Sequence, residues 1–209
     1  MKVAIISDLH GFLPELPDVV DLLIIAGDVC PVVDHSEERQ CLWLGDEFGP
    51  WLADQPAHRI VGVAGNHDFA LEKFSFPNLP WTYLQNKSTE VEGLKVWGTP
   101  LSGKFGKWAF MRSEEDLDRV YVEIPDDVDI VISHGPPKWY GDQCQNGYHA
   151  GSPSLRERLG NLSNILTVVG HIHEARGIYL TEGCGTVINS SAVDLNYGLR
   201  PDPYTYVYI

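Results

Sequence analysis

Nine side chains fall in short polar runs that end apolar stretches: Asp8 and His10, Asp28, Asn66 with His67 and Asp68, His134, and His171 with His173. Their donors are carboxylate oxygen, imidazole nitrogen and one amide oxygen, with no thiolate. Such a set suits Mn, Fe, Zn, Co or Ni and is too rich in imidazole for calcium. It is also too large for one tetrahedral ion and suits two ions sharing a bridging carboxylate. On extended chain, positions 8 and 10 point the same way, as do 171 and 173, so each pair is expected to reach one ion.

Five buried strands must deliver these residues. Lys2 to Ser7, Leu22 to Ala26, Arg59 to Ala64, Asp129 to Ile132 and Ile165 to Val169 are aliphatic runs, each stopping at Asp, Asn or His. Open α/β sheets place ligands at such strand ends, where side chains leave the core while the backbone stays rigid. Between the second and third runs, Ser36 to Leu52 predicts a surface helix with Ser36 as N-cap and Glu37 and Glu38 in its first turn. Glu114 to Arg119 and Ser154 to Leu159 are shorter helix candidates. Asn78 to Trp97 alternates apolar and polar residues around Asn86-Lys87 and Glu92-Gly93, which predicts strands and a hairpin, and Gly177 to Ile209 predicts further strands. Phe105 to Met111, Trp139 to Ser152 and Tyr197 to Tyr204 read as loops near the strand ends.

No repeat or linker stands out, so residues 1–209 are expected to form one layered α/β domain. No apolar run approaches membrane-spanning length, which predicts a cytoplasmic protein with no membrane partner. A formal charge of −14, with 15 Lys and Arg residues, opposes stable binding to a nucleic-acid backbone. Cys30, Cys41, Cys144 and Cys184 show no short spacing, so they are read as ordinary core or surface thiols in a reducing compartment.

Taken together, Asp8-Leu-His10, Gly27-Asp28, Gly65-Asn66-His67-Asp68, Ser133-His134-Gly135 and Gly170-His171-Ile172-His173 resemble, in content and order, the five motifs of the calcineurin-like metallophosphoesterases. The short link from His10 to Asp28, Gly62-Val-Ala-Gly-Asn-His67, Trp97-Gly-Thr-Pro100, His134-Gly-Pro-Pro137 and Gly170-His-Ile-His-Glu174 are similar to the small metallophosphoesterase-domain, brain phosphodiesterase-like subgroup. That resemblance implies a four-layer fold, a two-sheet β-sandwich flanked by helices. It implies two divalent metal ions, Mn²⁺ favoured, with Asp8, His10 and His173 on the first, Asn66, His134 and His171 on the second, and Asp28 bridging.

The implied activity is hydrolysis of a small phosphate ester or nucleotide, phosphodiesters favoured and 2′,3′-cyclic nucleotides among them. A hydroxide generated at the metal pair would attack, without a covalent enzyme intermediate. His67 would face the substrate as proton donor or phosphate contact, and Asp68 would fix its tautomer and orientation. Phosphomonoesterase, protein phosphatase, dinucleoside polyphosphate hydrolase and nuclease share this chemistry, and a non-catalytic scaffold shares the fold. A homodimer is compatible with all of them. His35, His58 and His149 are read as ordinary solvated or hydrogen-bonded side chains, with substrate contact as the alternative for His149 in the loop following the His134 motif. Phe105, Trp108, Phe110, Trp139 and Tyr140 are candidates for stacking on a nucleobase, and Asn189-Ser190-Ser191 ends a late strand near the site.

Overall fold

In the computed structural model, which describes every residue except Pro77, Asn164, Glu182 and Cys184, the apolar runs become parallel strands. The expectation for Cys184 therefore lies outside the described residues. β1 (Lys2–Ile6) pairs with β2 (Val20–Ala26), whose outer edge takes β3. The expected helix after β2 is three pieces in line: α1 (Glu37–Trp43), a π-helical turn (Leu44–Phe48) and α2 (Gly49–Asp54). The widened turn lies where Pro50 has no N–H to continue the ladder. Ser36 occupies the N-cap position, but its hydroxyl makes no cap bond; its own N–H donates to Asp34 Oδ1 instead.

After β3 (Ala57–Val63) come α3 (Phe69–Lys73), which the sequence reading did not anticipate, and β4 (Thr82–Tyr83). Asn86, with φ +53°, then carries the chain into the second sheet, so Asn86-Lys87 is a crossing and not a hairpin turn. Glu92-Gly93 does close a hairpin, between β5 (Lys87–Val91) and β6 (Leu94–Thr99). Both turn residues are left-handed, as a twist-matched two-residue turn requires.

β7 (Ser102–Gly103) and β8 (Met111–Arg112) form a short ribbon of their own. α4 (Glu114–Tyr121) starts at Ser113, whose Oγ accepts from Asp116 N, and precedes β9 (Ile130–Ser133). α5 (Pro153–Gly160) starts at Ser152, whose Oγ accepts from Leu155 N. Next are β10 (Leu166–Val169), β11 (Gly177–Leu180) and β12 (Thr186–Asn189). β13 (Thr205–Tyr208) returns to the first sheet, antiparallel to β1.

The sheets run β13-β1-β2-β3-β4 and β11-β12-β10-β9-β6-β5. Alternate residues of each strand face opposite ways. Val3, Ile5, Leu22 and Ile24 of one sheet thereby meet Ile130, Ile132, Val168 and Ile188 of the other. The opposite faces, carrying Ile6, Leu23 and Ile25 on one sheet and Trp97 and Val131 on the other, are covered by helices. Phe48, Leu52, Leu117, Tyr121, Leu155 and Leu159 supply that cover. Helix, sheet, sheet and helix make the four expected layers. Seams at the ends of β1 and β12 join the sheets: Ser190 Oγ donates to Ile5 O, and Ser7 N donates to Ser190 O.

Candidate metal centre

The polar runs after β1 and β2 lie side by side and continue to bond beyond the strands. Asp8 N donates to Gly27 O, and His10 N donates to Asp28 O. Side-chain direction here is not set by strand pleat. Asp8, His10, Asp28 and His171 all have left-handed backbone, with φ between +45° and +70°. Asp8 and His10 do lie together as expected, though by turned backbone and not by the period of two, whereas the expected pairing of 171 with 173 is corrected. Left-handed turns aim Asp8 and His10 together, and His171 and His173 diverge into different clusters. Each such residue costs about 1–3 kcal/mol, which surrounding contacts must offset. Some of those contacts are visible: Asp8 accepts from His171 N at 3.0 and 3.1 Å, and Asp28 Oδ1 accepts from His67 N at 2.7 Å.

Asp8, His10 and His173 offer ligand atoms all within 4.8 Å of one another, and Asp28, His134 and His171 form a second such group. Asn66 Oδ1 joins the second group, 3.0 Å from His134 Nε2. Asp28 Oδ2 stands between the groups, 3.9 Å from His10 Nε2 and 3.3 Å from His134 Nε2. All seven residues named for metal thus converge at one end of the sandwich.

Imidazole tautomers fit cations too. His134 Nδ1 lies 2.9 Å from Ala26 O and His173 Nδ1 lies 3.3 Å from Asp194 O. A carbonyl only accepts, so both Nδ1 atoms carry hydrogen and both Nε2 atoms face the carboxylates, the arrangement a metal-binding imidazole needs. The charges respond to this crowding. Burial opposes ionisation of Asp28 and Asp8, yet the neighbouring histidines hold both well below the usual carboxylate range. Burial likewise opposes charge on His134, but Asp28 and Asp8 lift it to about 9, whereas burial leaves His10 at about 4.

Three motif glycines are required by close approach. A Cβ on Gly170 would lie 1.8 Å from Ser7 Oγ and 2.5 Å from Asp8 Oδ2. On Gly65 it would lie 2.3 Å from Asp28 Oδ1, and on Gly27 2.6 Å from His134 Nδ1. Asn189, closing β12, donates through Nδ2 to Gly141 O, Gly170 O and Ile172 O, which pins the loop carrying His171 and His173.

His67 sits beside the cluster, its ring 4.9 Å from that of His10 and 4.5 Å from that of Trp108. Its expected partner is corrected. The carboxylate of buried Asp68 accepts from Gly65 N, Cys30 N and Val29 N, so it holds two backbone loops and makes no bond to the His67 ring. His35 takes the contact instead, with Nε2 2.9 Å from His67 Nδ1. Gln40 steadies the same turn, donating to His67 O and accepting from Ala70 N. Tyr197 lies over the first cluster, 4.9 Å from His10 and 5.1 Å from His173 between ring centres. The reading of His35 as an ordinary side chain is corrected by its contact with His67, while Gln40 and Tyr197 are not among the residues the sequence singles out; Tyr197 carries a signal only as part of a loop predicted near the strand ends.

Among the stacking candidates, Phe110 is buried in the core and offers no face to a ligand. Trp108 covers His67, Phe105 lies 5.6 Å from His171, Trp139 packs on His149, and Tyr140 sits under Arg156. His58 stays at the surface. No described helix is long and apolar enough to cross a membrane.

Residues 1–175 match the family described as "Calcineurin-like phosphoesterase". A protein of Emericella nidulans named "Probable rhamnogalacturonate lyase C" is 32% identical over 194 residues, covering 85% of this chain and 17% of that one. Human "Metallophosphoesterase domain-containing protein 1" is 27% identical over 216 residues, covering 85% of this chain and 61% of its own. The chain thus spans less than two thirds of either relative. A dimetal phosphatase from Danio rerio superposes with a TM-score of 0.55 at 11% identity, covering 90% of this chain and 86% of that one, a likeness of fold. With five ordered motifs, four layers and paired ligand clusters in agreement, the chain belongs to the calcineurin-like phosphoesterase family.

Proposed function

We propose that this protein is a dinuclear metal-dependent phosphodiesterase. The observation that carries the reading is the position of Asp28 Oδ2 between His10 Nε2 and His134 Nε2, one carboxylate shared by two ligand groups. Asp8, His10 and His173 would hold one divalent cation, Asn66, His134 and His171 the other, and Asp28 both; Mn²⁺ suits these oxygen and nitrogen donors. When bound, such ions supply an acidic water and positive charge for the phosphoryl oxygens.

The chain's own residues do the remaining work. His67 borders the first cluster and would hold a phosphoryl oxygen or hand a proton to the leaving oxygen. His35 fixes its Nδ1 side, and Trp108 covers the ring, limiting it to one orientation and restricting water. Tyr197 closes the approach over His10 and His173. Side chains of free Cys30, Cys41 and Cys144 suit a cytoplasmic working place.

The test is hydrolysis of bis-p-nitrophenyl phosphate and p-nitrophenyl phosphate by protein stripped of metal and reconstituted with Mn²⁺. Diester turnover that exceeds monoester turnover and vanishes on chelation supports the reading. Activity indifferent to chelator contradicts the metal, and monoester preference contradicts the diester assignment.

A further inference from the structure

Beside the metal centre, a cavity of about 640 Å³ opens against His171 and Ile172. It is far larger than a phosphoryl group and matches the space an organic ligand occupies. Its walls come from the loops after β7 and β9 and from the starts of α4 and α5. They include Lys104, Lys138, Phe105, Tyr148, His149 and Glu114.

The charge of this wall is unlike that of the chain. Across the sequence acidic residues outnumber Lys and Arg 29 to 15, yet two lysines line this one cavity. Most cations elsewhere on the surface are ion-paired, whereas neither Lys104 nor Lys138 is, among the described residues. Glu114 is the wall's carboxylate, and its Oε1 is committed to Ser152 Oγ, Ser154 N and Ser154 Oγ.

Behind the wall, buried Asp142 is answered as well. Its Oδ1 accepts from His149 Nδ1 at 2.7 Å and its Oδ2 from Gly151 N at 3.0 Å. With Nδ1 committed, and the ring packed 4.3 Å from Trp139, His149 is a fixed polar element of the wall and no longer the incidental loop residue its sequence suggests. Phe105 and Tyr148 add apolar ring area, both largely exposed.

We propose that this cavity selects phosphate esters whose organic part carries a second anionic group, which Lys104 and Lys138 bind while the ring of that part lies against Phe105 or Tyr148. The inference rests on the phosphodiesterase reading for the scissile phosphate and adds a specificity site next to it.

Thymidine 5′-(p-nitrophenyl phosphate) and its 3′-phosphorylated counterpart share leaving group and nucleoside and differ only in the second phosphate. With the Mn²⁺-reconstituted full chain, kcat/KM should be about tenfold higher for the bisphosphate, the scale of two partly exposed ion pairs, and the gain should sit in KM. In Lys104→Gln/Lys138→Gln the ratio between the two substrates should fall to near one. A wild-type ratio near one, or a ratio the double variant keeps, overturns the proposal.

If neither substrate is hydrolysed, the diesterase reading fails, and calorimetric binding of thymidine 3′,5′-bisphosphate against thymidine 5′-monophosphate still decides the cavity. Tighter binding of the bisphosphate that the double variant loses supports it. Equal binding of the two overturns it. Unchanged circular dichroism of the double variant confirms that it is folded.

Discussion

His35 Nε2 lies 2.9 Å from His67 Nδ1, a contact between residues that the chain separates by the whole of the helix after β2 and by β3. It ties the loop after β2 to the turn carrying Asn66. Replacing His35 by Ala should lower kcat about tenfold, the usual loss on removing a group that orients an active side chain, while Mn²⁺ content is unchanged. Replacing His67 should cost more, about 10²–10⁴-fold. Steady-state kinetics beside metal analysis checks both; full activity in His35→Ala removes its positioning role.

Asp68→Ala should act on the fold before the chemistry. Three backbone donors, from Gly65, Cys30 and Val29, lose their acceptor inside the protein, and stability should drop by about 3 kcal/mol or more. Denaturant unfolding reads this directly. A variant of wild-type stability but reduced turnover would restore the catalytic role first assigned to Asp68.

How much of this was legible in the sequence divides by mechanism. Strand runs such as Leu22 to Ala26 and the Glu92-Gly93 turn announce themselves, because apolar continuity and turn chemistry are local properties. The converging ligand types were legible as motifs. Their geometry was not: a φ of +45° at His10 follows from packing against the loop after β2, and nothing in Asp-Leu-His signals it. His35 was equally hidden, since its partner is set by the fold. Asp68 misled by adjacency, because consecutive side chains diverge and its carboxylate turned to buried amides.

Gly170→Ala should weaken metal binding although alanine brings no chemistry. Its Cβ would fall 1.8 Å from Ser7 Oγ and 2.5 Å from Asp8 Oδ2, so the loop carrying His171 and His173 must retreat from Asp8. Overpacking of this kind typically costs about 1–3 kcal/mol. A lower thermal midpoint with a higher Mn²⁺ dissociation constant is expected, and unchanged values of both would contradict the close approach.

Metal uptake should release protons. Without metal, His134 is lifted to about 9 and so carries a proton at neutral pH, which a cation must displace. Since protonation competes with binding, apparent Mn²⁺ affinity should rise with pH up to about 9 and level off above it. Calorimetry at pH 7 in two buffers of different ionisation enthalpy counts the protons. Identical heats in the two buffers would deny the linkage.

Two cations held by a common carboxylate are most directly seen by electron paramagnetic resonance of the Mn²⁺-loaded protein at low temperature. Bridging by Asp28 predicts an exchange-coupled multiline spectrum from two Mn²⁺ per chain, lost in Asp28→Asn. Six-line signals of isolated Mn²⁺ ions in the unmodified protein would contradict it.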